Sequence, residues 1–373
     1  MRVIIAAAGT GGHINPAISI ANKIKKEEPD SQIIFFGTER GIENDLVPRA
    51  GYKLEHIEAY GFKKQISIKN FRNILKTVGS IKVVKKFIDD FKPDVVIGTG
   101  GYICAPVFSA ANSKKIPTVL HESNAFPGKA VRLFAKKANK VLLGFDEAKA
   151  MLPANTITVT TGNPTKVKKI QIQSQRKQEL LNELNVTSEL PIVLVTGGSQ
   201  GAQKINEAIV QILVQNLNKD YQIIWATGPK QYDNIKENLE KNDLNINKLY
   251  NAKVLPYIYN MEEVLNLMDL QICRSGAMTI TELCNVEKPA IFIPLPSVGA
   301  NKQEENARVL EKIGAAKIIL NNQLEYKKLN TLIYELISKP DMLKKMGKNT
   351  IQKQVHNVED KIYKEIKETI EKK

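Results

Sequence analysis

Val3-Ile4-Ile5-Ala6-Ala7-Ala8-Gly9-Thr10-Gly11-Gly12-His13-Ile14-Asn15-Pro16 stands near the start of the chain, and its reading decides the fold. An apolar run gives way to a glycine-rich loop. Apolar residues then recur at Ala17, Ile20, Ala21 and Ile24, the spacing of one helix face. Strand, glycine loop and helix opening together present backbone N–H groups and a positive dipole end, which suits phosphate oxygens. Half a chain later the device returns. Ile192 to Val195 leads into Gly197-Gly198-Ser199-Gln200-Gly201, followed by Ile205, Ala208, Ile209, Ile212 and Leu213 at helical spacing. Two copies predict two α/β domains facing a cleft, each able to hold a phosphorylated ligand. That arrangement fits an enzyme that works between two phosphorylated molecules.

The stretches between the loops support parallel sheets. Short apolar runs at Gln32–Phe36, Asp94–Ile97, Pro117–Leu120 and Lys140–Leu143 alternate with helical patterns, and the second half repeats this at Gln222–Trp225, Leu270–Cys273 and Pro289–Ile293. Apolar strands alternating with helices imply doubly wound, Rossmann-like parallel sheets covered on both faces. The alternation breaks near Gly162-Asn163-Pro164, and a polar Lys/Gln-rich segment runs on to Pro191. The expected domains are therefore 1–165 and 166–350, with a final helix in 351–373 packing back on the first domain through Val355, Val358, Ile362, Ile366 and Ile370.

Composition narrows the classes. A chain of 373 residues is long enough for two substantial cores. Cys104, Cys273 and Cys284 lack metal-ligand or disulfide-framework spacing, which points to a reducing compartment, and four histidines exclude a His-rich metal site. No cofactor is expected. The net charge of +15 favours an anionic partner. With aromatics at only 6% and no aromatic-plus-basic stretches, a membrane surface fits better than nucleic acid. The apolar core at Val3 to Ala8 is too short for a signal peptide. Val95 to Ser113 is free of charge but holds Gly98, Gly100, Gly101 and Pro106, so it reads as strand, loop and helix rather than a membrane span.

Neither glycine loop fits the dinucleotide fingerprint with its distant acidic residue, and the Walker lysine is absent. Further polar clusters fall at strand ends, where doubly wound folds bind ligands. They are Gly98-Thr99-Gly100-Gly101-Tyr102, His121-Glu122-Ser123-Asn124, Gly162-Asn163-Pro164-Thr165-Lys166, Arg274-Ser275-Gly276-Ala277-Met278-Thr279-Ile280-Thr281-Glu282 and Gln303-Glu304-Glu305-Asn306-Ala307. His13, at a helix start that disfavours imidazolium, either accepts a proton or merely caps the helix and orients a phosphate. Ser199 suits a phosphate or an N-cap, or both. Glu282 is either a solvated helix carboxylate or a group that takes two vicinal ribose hydroxyls.

In order and content these motifs closely resemble the MurG family of bacterial peptidoglycan glycosyltransferases, over essentially the whole chain. The resemblance implies a two-domain GT-B fold and an inverting transfer of N-acetylglucosamine from its UDP carrier onto lipid I, giving lipid II. It also implies peripheral attachment to the cytoplasmic face of the inner membrane. An inverting transfer needs a base on the face opposite the departing UDP; His13 is the first choice and Glu122 the second. Donor contacts are implied for Thr10, Gly11, Gly12 and Asn124, for Lys166 and Ser199, and for the backbone of Ile258 against uracil. The segment Ala277, Met278, Thr279, Ile280, Thr281 and Glu282 joins them, and Gln303 and Asn306 read hydroxyls of the sugar. Gly100, Gly101, Tyr102 and His121 are implied on the acceptor side. No Asp-x-Asp motif is present, so activity without a divalent metal is expected.

Three departures stand out. Lys166 replaces the usual arginine and loses its bidentate fork. Asn301-Lys302 stands where an acidic residue and a histidine are common, and Ser123 replaces a glutamine. A sugar-nucleotide epimerase on the same scaffold, and a non-catalytic membrane subunit presenting a polyprenyl sugar, are the alternative readings. Retention of His13 and the donor motif speaks against the subunit.

One surface feature bears on the membrane. Ile74, Val78, Ile81, Val84 and Ile88 recur at helical spacing among Lys69, Arg72, Lys76, Lys82, Lys85 and Lys86. Such a stripe either faces a core with a solvated lysine side or lies on an anionic bilayer, and the resemblance favours the bilayer.

Overall fold

The computed structural model describes residues 1–61, 67–198, 201–296 and 302–372. The chain forms two compact units, Met1–Thr165 with Val355–Lys373, and Lys166–Gln354.

In the first unit the order is β1 (Arg2–Ala6), α1 (Gly11–Glu27), β2 (Gln32–Gly37), α2 (Glu43–Arg49), β3 (Lys53–His56), α3 (Ile68–Phe91), β4 (Val95–Gly98), α4 (Cys104–Ser113), β5 (Thr118–Glu122), α5 (Lys129–Phe134), β6 (Lys140–Leu143) and β7 (Thr158–Thr160). The seven strands run in the order β3-β2-β1-β4-β5-β6-β7, all parallel. Because side chains alternate across a strand, β1 feeds both faces of the sheet. Val3 and Ile5 join Ile14, Ala17, Ile20 and Ile24 of α1, whereas Ile4 and Ala6 join Val107 and Phe108 of α4. Burying each such isoleucine stabilises the fold by about 1.5–3 kcal/mol. Val95 to Ser113 is thus a central strand, a loop and a helix. No helix among the described residues is long and apolar enough to cross a membrane.

The second unit holds α6 (Ser174–Glu183), β8 (Ile192–Thr196), α7 (Gln203–Val214), β9 (Gln222–Ala226), α8 (Pro229–Glu240), β10 (Ala252–Leu255), α9 (Met261–Leu267), β11 (Leu270–Cys273), α10 (Ala277–Val286), β12 (Ala290–Phe292), α11 (Lys302–Lys312), β13 (Ala316–Ile318), α12 (Tyr326–Ile337) and α13 (Pro340–Asn349). Its strand order is β10-β9-β8-β11-β12-β13, again all parallel. The order of both sheets reverses at the first strand of the unit. Ligands of doubly wound folds sit at that switch point, outside the carboxyl ends of the strands. In each unit a glycine loop leaves the first strand there.

The last helix, α14 (Val358–Glu371), belongs to the first unit and buries Ile362 and Ile366 in the same cluster as α1. Ion pairs flank that contact. Lys140 of β6 meets Glu365 and Glu368, and Lys23 of α1 meets Asp360. Burial pushes the Glu28 carboxyl upward, but hydrogen bonds from the N-terminal ammonium, Lys367 and Tyr363 outweigh it and hold the group down at about 2.

The stripe on α3 divides. Val84 and Ile88 are buried and Ile81 packs against the core, so these three do not face outward as a membrane stripe requires. The N-terminal half behaves differently. Phe71, Leu75 and Val78 are 64%, 54% and 54% exposed, with Ile74 beside them. The inner face of these turns is polar, with buried Thr77 accepting from Tyr60 N and buried Ser80 donating to Glu58 O, so the apolar residues are left on the outer face.

Candidate functional site

In the first unit, α1 starts at Gly11 with the exposed Thr10 as its N-cap, and no side chain caps it. The first-turn amides of Gly11 and Gly12 therefore lack intrahelical partners. Pro16 falls in the second turn, where its missing N–H leaves the Gly12 carbonyl without its usual donor. The Thr99 hydroxyl donates to His13 O at 2.7 Å and ties this turn to the end of β4.

The His13 ring is held on two sides. Its Nδ1 lies 3.2 Å from Ala8 O. A carbonyl only accepts, so Nδ1 carries the proton and the neutral ring has its lone pair on Nε2. Gly100 and Gly101 form the other wall, with φ of +107° and +85°. A Cβ at Gly100 would sit 2.9 Å from His13 Cδ2 and 3.0 Å from Nε2, and one at Gly101 2.8 Å from Ala8 O. Only glycine meets both the backbone angle and the close approach. Tyr102 follows, half-buried against the α3–α4 core.

At the end of β5 the polar residues brace their own loop. Glu122 is 4% exposed, and its Oε1 accepts from Asn124 N at 2.9 Å and Asn124 Nδ2 at 2.8 Å. Its Oε2 accepts from Gly128 N at 2.6 Å. His121 is fully buried, with Nε2 donating to Gly162 O at 3.2 Å and Nδ1 accepting from the Ser123 hydroxyl at 3.4 Å. Burial lowers its pKa and keeps the ring neutral. Asn163 Nδ2 donates to Ser123 O at 3.0 Å, so the Gly162-Asn163-Pro164 turn is stitched to this loop.

In the second unit, Gly197-Gly198 leads from β8 toward α7, and Ser199 lies outside the described residues. Behind the loop, buried Asn206 donates to Thr227 O at 3.0 Å and accepts from Trp225 Nε1 at 3.0 Å, fixing the start of α7 against β9. On the other side of the switch point, α10 opens at Ala277 with Gly276 as N-cap and no side-chain cap. The first-turn amides of Ala277, Met278 and Thr279 lack intrahelical partners. Thr281 Oγ1 returns to Ala277 O at 3.0 Å, Ile280 is fully buried, and Glu282 is half-exposed on the next turn. Ile258 is buried too, so the side chains of Ile280 and Ile258 are both packed in the core and only their backbones are open to a contact. Lys166 is exposed at the first position of the unit.

The α10 opening is tied to α11. Ser275 Oγ donates to Gln303 O at 2.7 Å, and buried Asn306 donates from Nδ2 to Ser275 O at 3.2 Å. Gln303 Oε1 accepts from Leu295 N at 2.9 Å. Arg274 Nη1 donates to Ile293 O, Pro294 O and Asn321 Oδ1 at 2.9, 3.2 and 2.8 Å, and burial lowers the guanidinium's pKa. A guanidinium spent on neutral acceptors beside a helix N-terminus adds positive potential there. The sequence motifs include Arg274 and Thr99 without a role for either, and they leave out Asn206 and Glu43; for Thr99, a polar residue just after an apolar strand was the available signal.

Two family models match: the glycosyltransferase family 28 N-terminal domain over residues 3–143, and the C-terminal domain over 192–362. The UDP-N-acetylglucosamine–N-acetylmuramyl-(pentapeptide) pyrophosphoryl-undecaprenol N-acetylglucosamine transferase of Ruminiclostridium cellulolyticum is 42% identical, covering 99% of this chain and 100% of that one. The chain belongs to the MurG family of glycosyltransferase family 28. Among solved structures, Acinetobacter baumannii MurG matches this family member with a TM-score of 0.78 and 26% identity, over 98% of this chain and 99% of that one. A UDP-GlcNAc 2-epimerase from Neisseria meningitidis, bound to UDP-GlcNAc, matches with a TM-score of 0.64 and 14% identity over 100% of both chains, a likeness of fold alone.

Proposed function

We propose that this chain transfers N-acetylglucosamine from UDP-N-acetylglucosamine to undecaprenyl-pyrophosphoryl-N-acetylmuramoyl-peptide, with His13 as the base. The observation that carries the reading is the 42% identity to a transferase of that name across 99% of the chain. The epimerase alternative shares only the scaffold, at 14% identity.

In the reaction, the acceptor sugar's hydroxyl oxygen attacks the anomeric carbon of N-acetylglucosamine. Its proton passes to His13 Nε2, and the bond from the anomeric carbon to the diphosphate oxygen breaks. The electron pair leaves with UDP, and the anomeric configuration inverts. The Nδ1–Ala8 hydrogen bond, 3.2 Å long, supports this role because it keeps the lone pair on Nε2. Glu122 is the weaker base, with both oxygens engaged by amides of its own loop. The first turn of α10 and the positive Arg274 stabilise the charge gathering on the departing diphosphate. Glu282 holds the ribose hydroxyls. The first-turn amides of α1, those of Gly11 and Gly12, suit an anionic oxygen of the donor.

The protein works at the cytoplasmic face of the membrane, with no part for nucleic acid. The exposed Phe71, Leu75 and Val78 enter the lipid interface, while Arg72, Lys76 and Lys82 meet anionic headgroups. The test is His13→Asn. Transfer is expected to fall by about 100-fold or more, in the usual range for a general base, while UDP-N-acetylglucosamine binds as in the parent. Transfer within a few-fold of the parent would remove His13 from the chemistry.

A further inference from the structure

Glu43 lies outside every motif quoted above, yet it is fully buried at the edge of the His13 loop. Its Oε2 accepts from Gly9 N at 3.0 Å, and its Oε1 accepts from Thr38 N at 3.1 Å and Thr38 Oγ1 at 2.9 Å. The pocket is built around it: a Cβ at Gly37 would lie 2.8 Å from Glu43 Cγ.

Gly9 N–H and Ala8 C=O are the two ends of one planar trans peptide group and point in opposite directions. One end is bound by Glu43. The other accepts from His13 Nδ1 at 3.2 Å. Carboxylate, peptide and imidazole therefore form a single hydrogen-bonded chain running from α2, through the loop, to α1. We propose that Glu43 is a positioning residue for His13, acting through the Ala8–Gly9 peptide to fix the ring's tautomer and raise its basicity.

The physics is that of a carboxylate behind a histidine, with one amide interposed. Accepting a hydrogen bond at the N–H end polarises the amide and puts more negative charge on the carbonyl oxygen. That charge favours the Nδ1–H tautomer and stabilises the imidazolium formed when Nε2 takes a proton. It also opposes the positive end of the α1 dipole, which alone disfavours that imidazolium. The titratable groups around the loop are neutral or engaged elsewhere. Burial pushes the Cys104 thiol, which donates to Gly100 O at 3.3 Å, up to about 12, so it stays neutral. Glu122 on β5 faces the amides of Asn124 and Gly128, and His121 beside it is kept neutral by burial.

The catalytic consequence rests on the proposed function, but the coupling can be read without it. The test is nitrogen NMR of the histidine-labelled full-length protein, with the His13 signal assigned by loss in His13→Asn. Glu43→Gln keeps the length of the side chain and an acceptor for Gly9 N–H but removes the charge. A unit charge acting over about 8 Å at an effective dielectric near 20 corresponds to a shift on the order of one pKa unit. The His13 titration in Glu43→Gln is therefore expected to move down by about one unit, with more of the Nε2–H tautomer. With the polyprenyl acceptor, the acid limb of the rate profile moves the same way and kcat falls by about tenfold, at unchanged KM for the sugar nucleotide. Should Glu43→Gln fail to fold, Thr38→Val carries the test. It removes one competing donor from the carboxylate, and the His13 titration is expected to rise by a few tenths of a unit. An unmoved His13 titration in a folded variant overturns the proposal. A moved titration with unchanged transfer supports the coupling and counts against His13 as the base.

Discussion

Replacing Gly100 by alanine tests the geometry around His13 most sharply. Gly100 has φ of +107°, a conformation that costs a residue with a Cβ about 1–3 kcal/mol. The new methyl would lie 2.9 Å from His13 Cδ2 and 3.0 Å from Nε2. Comfortable carbon contacts are about 3.5–4.0 Å, so the ring must yield by roughly 0.5–1 Å. It has no cheap direction to move, because Nδ1 is anchored to Ala8 O at 3.2 Å. A displacement of that size costs about 100-fold in rate when the displaced group is the base. The strain should lower the melting temperature by roughly 3–9 °C for a domain of this size. The assay is steady-state UDP release with the polyprenyl acceptor, beside calorimetric titration with UDP, whose binding should be unchanged. A folded Gly100→Ala protein with kcat within twofold of the parent would refute the reasoning.

Glu282→Ala is expected to weaken UDP-N-acetylglucosamine binding by about 1.5–3 kcal/mol, the usual worth of hydrogen bonds to a charged group, and unchanged affinity by calorimetry would remove Glu282 from the donor site. Phe71→Ser with Leu75→Ser should lower affinity for anionic vesicles on the order of 100-fold, since each apolar chain contributes roughly 1.5 kcal/mol or more when buried; binding by the parent should also fall with added salt, and flotation assays read both effects. Buried His121 has its folded pKa below the unfolded value of 6.5, so it contributes stability above that pH that is lost as pH falls below it. Urea midpoints taken from pH 7.5 to 5.5 should show a loss of stability that grows toward the acid end and stays within the single-proton limit of about 1.4 kcal/mol per pH unit, and a variant lacking the imidazole should show a flatter profile. Transfer is further expected to persist in excess chelator, and complete loss that magnesium restores would contradict a metal-independent site.

Much of the fold was legible because its central strands are short apolar runs set beside glycine loops. β1, β2, β4, β8, β9 and β11 all read this way. The edge strands β3, β7, β10 and β13 were not found. Lys53-Leu54-Glu55-His56 and Thr158-Val159-Thr160 contain no fully buried residue, and a half-exposed strand of three or four residues carries no clear period. The α3 stripe was visible as a period but not as a partition between core and surface, because that depends on what packs beneath each turn. His13 was legible from its place between glycines and a helix. The bracing of His121, Glu122 and Asn306 was not, since each meets backbone groups supplied by loops whose paths the sequence does not spell out. Glu43 was hidden for the same reason: its partner near the site is an amide, and an amide leaves no mark in a sequence.

The central claim is that this chain joins N-acetylglucosamine to a polyprenyl-pyrophosphoryl sugar with inversion. The most direct measurement incubates the purified protein with isotopically labelled UDP-N-acetylglucosamine, with and without lipid I, and determines the products by mass spectrometry and the anomeric linkage by NMR. The account predicts UDP release only with the acceptor present and one N-acetylglucosamine added to it in β-linkage. UDP release without acceptor, an epimerised sugar nucleotide, or an α-linked product would contradict it.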